Sequence, residues 1–454
     1  MKSSPVRWMR SWLVAVSIGA APGLASAGDV AEESVQSEID SLRAEIGALR
    51  GRDGRQVVEA DRMAEIRALV GDVLADARGR TSYQYDDDIT GWRQGFRLSS
   101  PDNSFSLEIA GQVQVRWVLN RANGTDPTYL HGFENRRTRV DIRGHVVDPG
   151  WTYRVRTNYF FIDGSANIDE CWVARSLGSG WSLKAGQFKT PWLREQLVPD
   201  SRLLAVERSV VSLYFDQLRS QGIELSWQGE SNRLALWTGD GVPGPGFGAA
   251  AANGFNTPWN ETNAFYSLAA RGEHRLAGDW DQFADLNSGR GADFGAMIGV
   301  AGLVQRARQS SLGVENAMAA GVTADLTLCF SGASLFVSGV WLNETLPDGP
   351  TTNPWGVTVQ GGVYLLDELE IFGRYDYMEY DPTNVPPSKT GRYSGPTVGA
   401  NWFFNPAVKV TVDWSINFAS LPSGAFVRTV AGMRSDEPGE AGQWSLRAQI
   451  QLLF

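Results

Sequence analysis

The sequence predicts an all-β transmembrane barrel of about 16 antiparallel strands, with an N-terminal α-helical coiled-coil segment before it. Three observations carry this. In the closing segment, Trp444, Leu446, Ala448, Ile450, Leu452 and Phe454 share one parity, while Gln443, Ser445, Arg447, Gln449 and Gln451 share the other. The same period of two, the mark of a strand with one apolar and one polar face, recurs from residue 105 onward. Connections between these segments are short and long by turns, as in barrels that cross a bacterial outer membrane.

The first element is a secretory signal. Lys2, Arg7 and Arg10 precede an apolar core at 12–21, and Ala25-Ser26-Ala27 supplies a small-residue cleavage site, so residues 1–27 read as a signal peptide. No later apolar run reaches the roughly 18 residues of a membrane helix. Residues 28–80 read as a periplasmic helix. Val35, Ile39, Leu42, Ile46 and Leu49 form a heptad seam, Gly51 to Gly54 interrupt it, and Met63, Ile66, Val70 and Val73 resume it in a shifted phase. A seam this short is marginal alone. It is expected to tie subunits as a coiled coil, or to dock as a single amphipathic helix. Residues 81–100, with Asp86-Asp87-Asp88, read as a linker, and 101–454 as the barrel.

Within the barrel, Phe105, Leu107, Ile109, Val113, Val115, Trp117 and Leu119 oppose Ser106, Glu108, Gln112, Gln114 and Arg116. Thr138, Val140 and Ile142 oppose Arg137, Arg139, Asp141 and Arg143, and Trp151, Tyr153 and Val155 oppose Arg154 and Arg156. Val408 to Phe418 repeat the pattern against Lys409, Thr411, Asp413, Ser415 and Asn417. Tight turns are expected at 148–150, 178–180, 229–232, 365–368 and 405–406, and long connections at 120–135, 190–218, 240–262, 344–354, 380–391 and 419–441. About 16 strands is the size class that leaves a water-filled lumen. The final strand is expected to pair with the first, which would shelter Phe454 in the membrane interface and remove both sheet edges.

Composition agrees: 50 Gly, 17 Trp, 12 Tyr and 20 Phe accompany a mean hydropathy of −0.23, apolar residues being spread thinly over alternate positions. A secreted β-sandwich could share this composition, but it predicts no two-sided alternation of connection length. Two cysteines, Cys171 and Cys329, exclude a disulfide framework, and with three histidines no metal site and no cofactor is expected. The chain carries net −10, and residues 91–454, with 36 acidic and 30 basic residues, carry net −6. Nothing in this balance suggests nucleic acid binding.

One block is more specific than periodicity: Leu183-Lys184-Ala185-Gly186-Gln187-Phe188-Lys189-Thr190-Pro191-Trp192, followed by Val206-Glu207-Arg208-Ser209. With residues 136–144, 275–283 and 401–410, it resembles the phosphate- and polyphosphate-selective porin family (porin O and P) of Gram-negative outer membranes, over roughly residues 100–454. The resemblance implies that connection 190–218 folds into the lumen as a constriction. It also implies a lysine set in the pore. This chain departs there, since Lys184, Lys189, Lys389 and Lys409 are the only lysines in the barrel region.

Strand parity places Arg116, Arg137, Arg139, Arg143, Arg154, Arg156, Lys184, Arg374, Lys409 and Arg447 on the polar face, with Lys189, Arg194, Arg202, Arg208 and Arg219 in connections. Cationic side chains along a narrow, partly desolvated path select anions, and the planar guanidinium fork suits phosphate oxygens. Glu108, Asp141, Asp169, Glu370, Asp376 and Asp413 share that face, so arginine–carboxylate bracing of the wall is the competing role. The expected function is an outer-membrane porin for passive, anion-preferring diffusion of phosphate or other oxyanions. A general non-specific porin and an envelope-tethering structural barrel are the alternatives. His131, in a connection, His145, near a turn, and His274, on a strand, have no nucleophile motif beside them, so the protein is not expected to be an enzyme. Expected partners are small anions, outer-membrane lipids, two further copies in a homotrimer, and the barrel assembly machinery through Phe454. Both cysteines are expected to remain unpaired.

Overall fold

The computed structural model describes residues 96–454 except 123–127, 160–163, 217, 242–263, 308–315, 346–350, 380–390, 420–432 and 434–440. The expected signal peptide, coiled coil and most of the expected linker lie outside the described residues. The early strands are β1 (Phe96–Ser99), β2 (Phe105–Ala122), β3 (Thr128–Val146), β4 (Trp151–Tyr159), β5 (Ala166–Gly178) and β6 (Trp181–Lys189). After a long connection come β7 (Arg219–Gln228), β8 (Asn232–Gly239), β9 (Ala264–Ala277), β10 (Gly295–Ala307), β11 (Met318–Phe330) and β12 (Ala333–Thr345). The last are β13 (Thr351–Thr352), β14 (Trp355–Tyr364), β15 (Leu369–Glu379), β16 (Arg392–Asn405), β17 (Val408–Ile416) and β18 (Trp444–Leu453).

Strands β2 to β12 pair antiparallel in chain order, β12 continues to β14, and β18 pairs back onto β2, which closes a 16-strand barrel. Two short strands are additions, β13 against the end of β12 and β1 against the start of β2. Closure is completed by two bonds at the seam: Gly111 N–H to Phe454 O at 2.6 Å, and Phe454 N–H to Gly111 O at 3.0 Å. The Phe454 ring lies over Gly111 on the outer face, so close that a Cβ there would fall 2.2 Å from its Cζ. The aromatic end of β18 fills the space that a side chain at 111 would need.

The faces follow the sequence. Outward residues such as Ile223, Leu236, Val300, Val322, Val398 and Ile450 are exposed, and the opposite parity is buried inside. This is the apolar-out pattern a membrane barrel requires.

Three details differ from the sequence reading. Strands β2 and β3 run through most of 120–135, so His131 sits on β3 and not in a connection. The outward residues Trp117, Leu119, Tyr129 and Phe133 continue the apolar face there, but Asn, Gly and charged residues among them read as a connection. Lys189 and Arg219 likewise end β6 and begin β7, opposite each other in register, instead of lying in the connection between them. Finally, one connection on the short-turn side, 278–294, is long and carries a 3-10 turn at Trp280–Ala284.

Candidate functional site

The connection between β6 and β7 fills much of the lumen. It contains α1 (Arg194–Leu197), a 3-10 turn at Asp200–Arg202 and α2 (Val210–Phe215), and almost every described residue of it is buried. The chain turns inward at Gly186, whose φ of +134° favours glycine. A Cβ there would also strike Cys171 O at 2.2 Å. Beyond it Gln187, Phe188 and Lys189 are all buried, where strict alternation would expose two of them, Gln187 and Lys189.

Two chemistries hold the connection. On one side, Phe188, Trp192, Val210, Val211 and Phe215 pack against inward residues of β8 to β12, including Trp237, Ala269, Ala301, Leu303, Ala319, Val340 and Leu342. That sector of the wall is apolar where a bare pore would be polar, so it serves as a core. Trp192 Nε1–H donates to Phe215 O at 3.1 Å and ties the two ends of the connection together. Helix α2 is capped by the Ser209 hydroxyl, which accepts from Ser212 N–H at 2.9 Å. On the far wall, Lys409 Nζ donates to Ser201 O and Leu203 O, and Asn401 donates to Leu204 O. Asp413 and Asp376 accept the backbone N–H groups of Val206 and Val210 at 2.9 and 3.1 Å. Arg374 donates to Glu207 O at 2.7 Å and pairs with Asp376 at 3.2 Å.

The remaining side is charged. Glu207, fully buried, accepts from Arg116 Nη1 at 2.8 Å, Arg136 Nε at 2.5 Å and Arg137 Nη2 at 2.6 Å. Asp200 accepts from Arg139 and Arg208. Asp169 meets Arg139, Arg156 and Arg219 at 3.3, 2.9 and 3.0 Å, and Glu170 meets Arg154 and Arg219 at 3.4 and 3.0 Å and also pairs with Arg156. Asp141 pairs with Arg154 at 2.6 Å, and Glu134 with Arg116. The surrounding guanidinium groups outweigh burial at both connection acids. They hold Asp200 well below the usual carboxylate range and bring Glu207 down to about 2.

The predicted site residues therefore separate into groups. Arg116, Arg137, Arg139, Arg154, Arg156, Arg208 and Arg219 come together in one network with the connection's acids. Arg374 and Lys409 hold its backbone from the far wall. Lys189 donates to Leu197 O at 3.2 Å. Arg194 and Arg202 point instead to the 278–294 connection: Arg194 donates to Phe283 O, and Arg202 lies 3.3 Å from Asp285. Two cations stand apart and are better exposed. Arg143 pairs with Glu108 at 2.6 Å, and Lys184 pairs with Glu224 at 2.9 Å with its Nζ 4.2 Å from the centre of the Phe188 ring.

Arg136 and Glu170 escaped the sequence reading because two β-bulges break the alternation. The register shifts between Gln114 and Val115 along the β2–β3 ladder, and between Arg156 and Thr157 along β4–β5. Each bulge turns two consecutive like charges inward, Arg136 with Arg137 and Asp169 with Glu170. The sequence signal was the doubled charge itself, Arg-Arg and Asp-Glu within strands of single alternation.

The histidines make structural bonds. His145 Nδ1 and the Ser106 hydroxyl are 2.7 Å apart, and His274 Nδ1 and Asn232 Oδ1 are 2.8 Å apart. Among the described residues no group of His, Cys, Asp and Glu is arranged to hold a metal ion.

Comparison with solved structures shows the same fold at low identity. An anion-selective porin from Comamonas acidovorans aligns with TM-score 0.54 at 12% identity over 77% of this chain and 100% of its own. The outer membrane channel DcaP of Acinetobacter baumannii gives 0.52 at 10% over 79% and 99%, and OprB of Pseudomonas putida 0.50 at 8% over 78% and 95%. No curated protein matches the sequence. The family model described as phosphate-selective porin O and P matches residues 109–291, the stretch that holds the charged sector, the inserted connection and the motif block of the sequence resemblance.

Proposed function

We propose that this chain is a porin of the Gram-negative outer membrane that admits small solutes passively and prefers anions, phosphate or another oxyanion among them. One observation carries the preference. In the charged sector, among the described residues, eight arginines (116, 136, 137, 139, 154, 156, 208 and 219) face seven carboxyl groups, six in ion pairs (134, 141, 169, 170, 200 and 207) and Asp216 near Arg208 and Arg219. An excess of guanidinium charge beside a loop-narrowed lumen lowers the barrier for anions and raises it for cations. Arg143 and Lys184, more exposed than the rest, are the groups a passing anion would meet on the same wall. The porin of Comamonas acidovorans that shares this fold is anion-selective, in line with this reading. In the same proposal the barrel sits among outer-membrane lipids as a homotrimer, is inserted through its Phe454-ended strand by the assembly machinery, and keeps its N-terminal coil in the periplasm.

A second reading, a general pore without charge preference, is favoured by the net −6 of residues 91–454. Reversal potentials in a KCl gradient across a planar bilayer separate the two. An anion-selective sign, with conductance reduced by added phosphate, is the expected result. A cation-selective sign overturns the proposal, and a potential near zero returns it to the general pore.

A further inference from the structure

The 278–294 connection is on the periplasmic side by strand order, yet its apolar residues do not face water. Phe283 and Leu286 are each almost wholly buried. Phe283 packs with Met297 and Cys329 on the inner faces of β10 and β11. Leu286 joins a second cluster with Val198, Leu203, Leu204 and Ala205 of the inserted connection and with Phe336 and Phe372 of the wall. Three polar contacts align with this packing: Arg194 donates to Phe283 O, Arg202 lies 3.3 Å from Asp285, and Leu286 N–H reaches Arg202 O at 3.5 Å. The outer side of the same connection is fastened separately, Ser288 to Phe330 O at 2.6 Å and Gly332 N–H to Gly289 O at 2.9 Å. It is therefore braced against the barrel rim and rises to meet the constriction from below.

We propose that residues 283–286 form a latch that fixes the deep end of the constriction loop from the periplasmic side. Asp285 and Leu286 are then positioning residues for the pore, although they line neither the charged sector nor the extracellular mouth. The loop is bonded to the far wall mainly through backbone carbonyls at 201–204, and the latch supplies the apolar floor beneath that stretch. Without that floor, residues 198–205 would keep their hydrogen bonds but lose the packing that immobilises them. The pore would flicker between widths. This rests on the porin reading only for its electrical consequence.

Two readouts on the full-length protein test it. Leu286→Ala, Asp285→Asn and Arg202→Gln are compared with Arg290→Ala, whose side chain is exposed and pairs outward with Asp367. Amide hydrogen exchange should become severalfold faster over 198–205 in the three latch variants, stay unchanged in Arg290→Ala, and keep wild-type protection in the wall strands of all four. In planar bilayers the latch variants should show severalfold greater open-channel noise and close at lower voltage. If Leu286→Ala does not fold, the two conservative polar variants carry the test. Unchanged exchange over 198–205 in folded latch variants overturns the latch. Faster exchange with no conductance from any form, wild type included, leaves the latch standing and refutes the pore.

Discussion

Single carboxylates decide where the inserted connection sits. Glu207 joins three guanidinium groups that would otherwise repel one another in a buried place, so Glu207→Gln leaves three cations around a neutral amide. Breaking a buried pair from one side costs about 3–5 kcal/mol. The expected outcome is proteolytic cleavage within 190–218 in a barrel that otherwise stays intact, read from fragment masses. Because its carboxyl is lowered to about 2, Glu207 contributes stability that is present above the ordinary value of 4.5 and fades as pH falls towards 2. Wild type should keep the loop protected at pH 5 and release it only in stronger acid. Asp216 has the opposite sign. Burial raises it to about 6 from 3.8, while a bond from Leu218 N–H at 2.6 Å and the nearby cations only partly offset that. Its neutral form is favoured inside, so stability is fullest below the ordinary value and declines as pH rises through 6, by roughly 3 kcal/mol at most. Asp216→Asn should therefore raise the unfolding midpoint at neutral pH and match wild type near pH 3, as followed by heat-modifiable gel migration; an equal effect at both pH values would refute the assignment.

At the scale of elements, the strand pattern was legible and its interruptions were not. Alternation at 105–119, 137–143 and 408–418 reports two environments, lipid and lumen, and the backbone obeys it. Bulges, by contrast, cost one residue of register and leave no change in composition, so Arg136 and Glu170 read as outward. The role of the 278–294 connection was hidden for a different reason. Phe283 and Leu286 are apolar residues in a turn, and only the inserted loop, far away in sequence, explains what they cover. Gly186, inside β6, is a position where backbone conformation sets the path of the chain. Gly186→Ala adds a strained φ, costing roughly 1–3 kcal/mol, besides the collision with Cys171 O. Its unfolding midpoint should drop clearly. Gly373→Ala, on β15 with open space where its Cβ would go, should stay close to wild type. Equal midpoints for the two would mean that the inward turn at 186 does not depend on glycine.

For the whole molecule, ring closure puts distant residues in fixed relation, and the two cysteines read that relation out. Cys171 lies on β5 with its side chain on the exposed outer face, and Cys329 lies on β11 with its side chain inward, buried against Phe283 and Met297. Both are free thiols. They occupy different strands of the ring and opposite faces of its wall, and a disulfide needs Cα atoms within about 7 Å. No rotamer change joins them within one chain. They should also differ in reactivity. Cys171 faces the lipid layer, where water is scarce and a membrane-soluble maleimide is concentrated. Cys329 sits under the 3-10 turn of the 278–294 connection, buried against Phe283 and Met297 with its sulfur 3.8 Å from Gln282 O, so a reagent cannot reach it in the folded chain. In folded protein, the membrane-soluble reagent should modify one thiol per chain, and Cys171→Ser should abolish that reaction. After denaturation without reductant, both thiols should react. No reactive thiol in the denatured wild type, or labelling of the folded Cys171→Ser variant, would mean that the strand order or the facing of β5 and β11 differs from the closed ring described above.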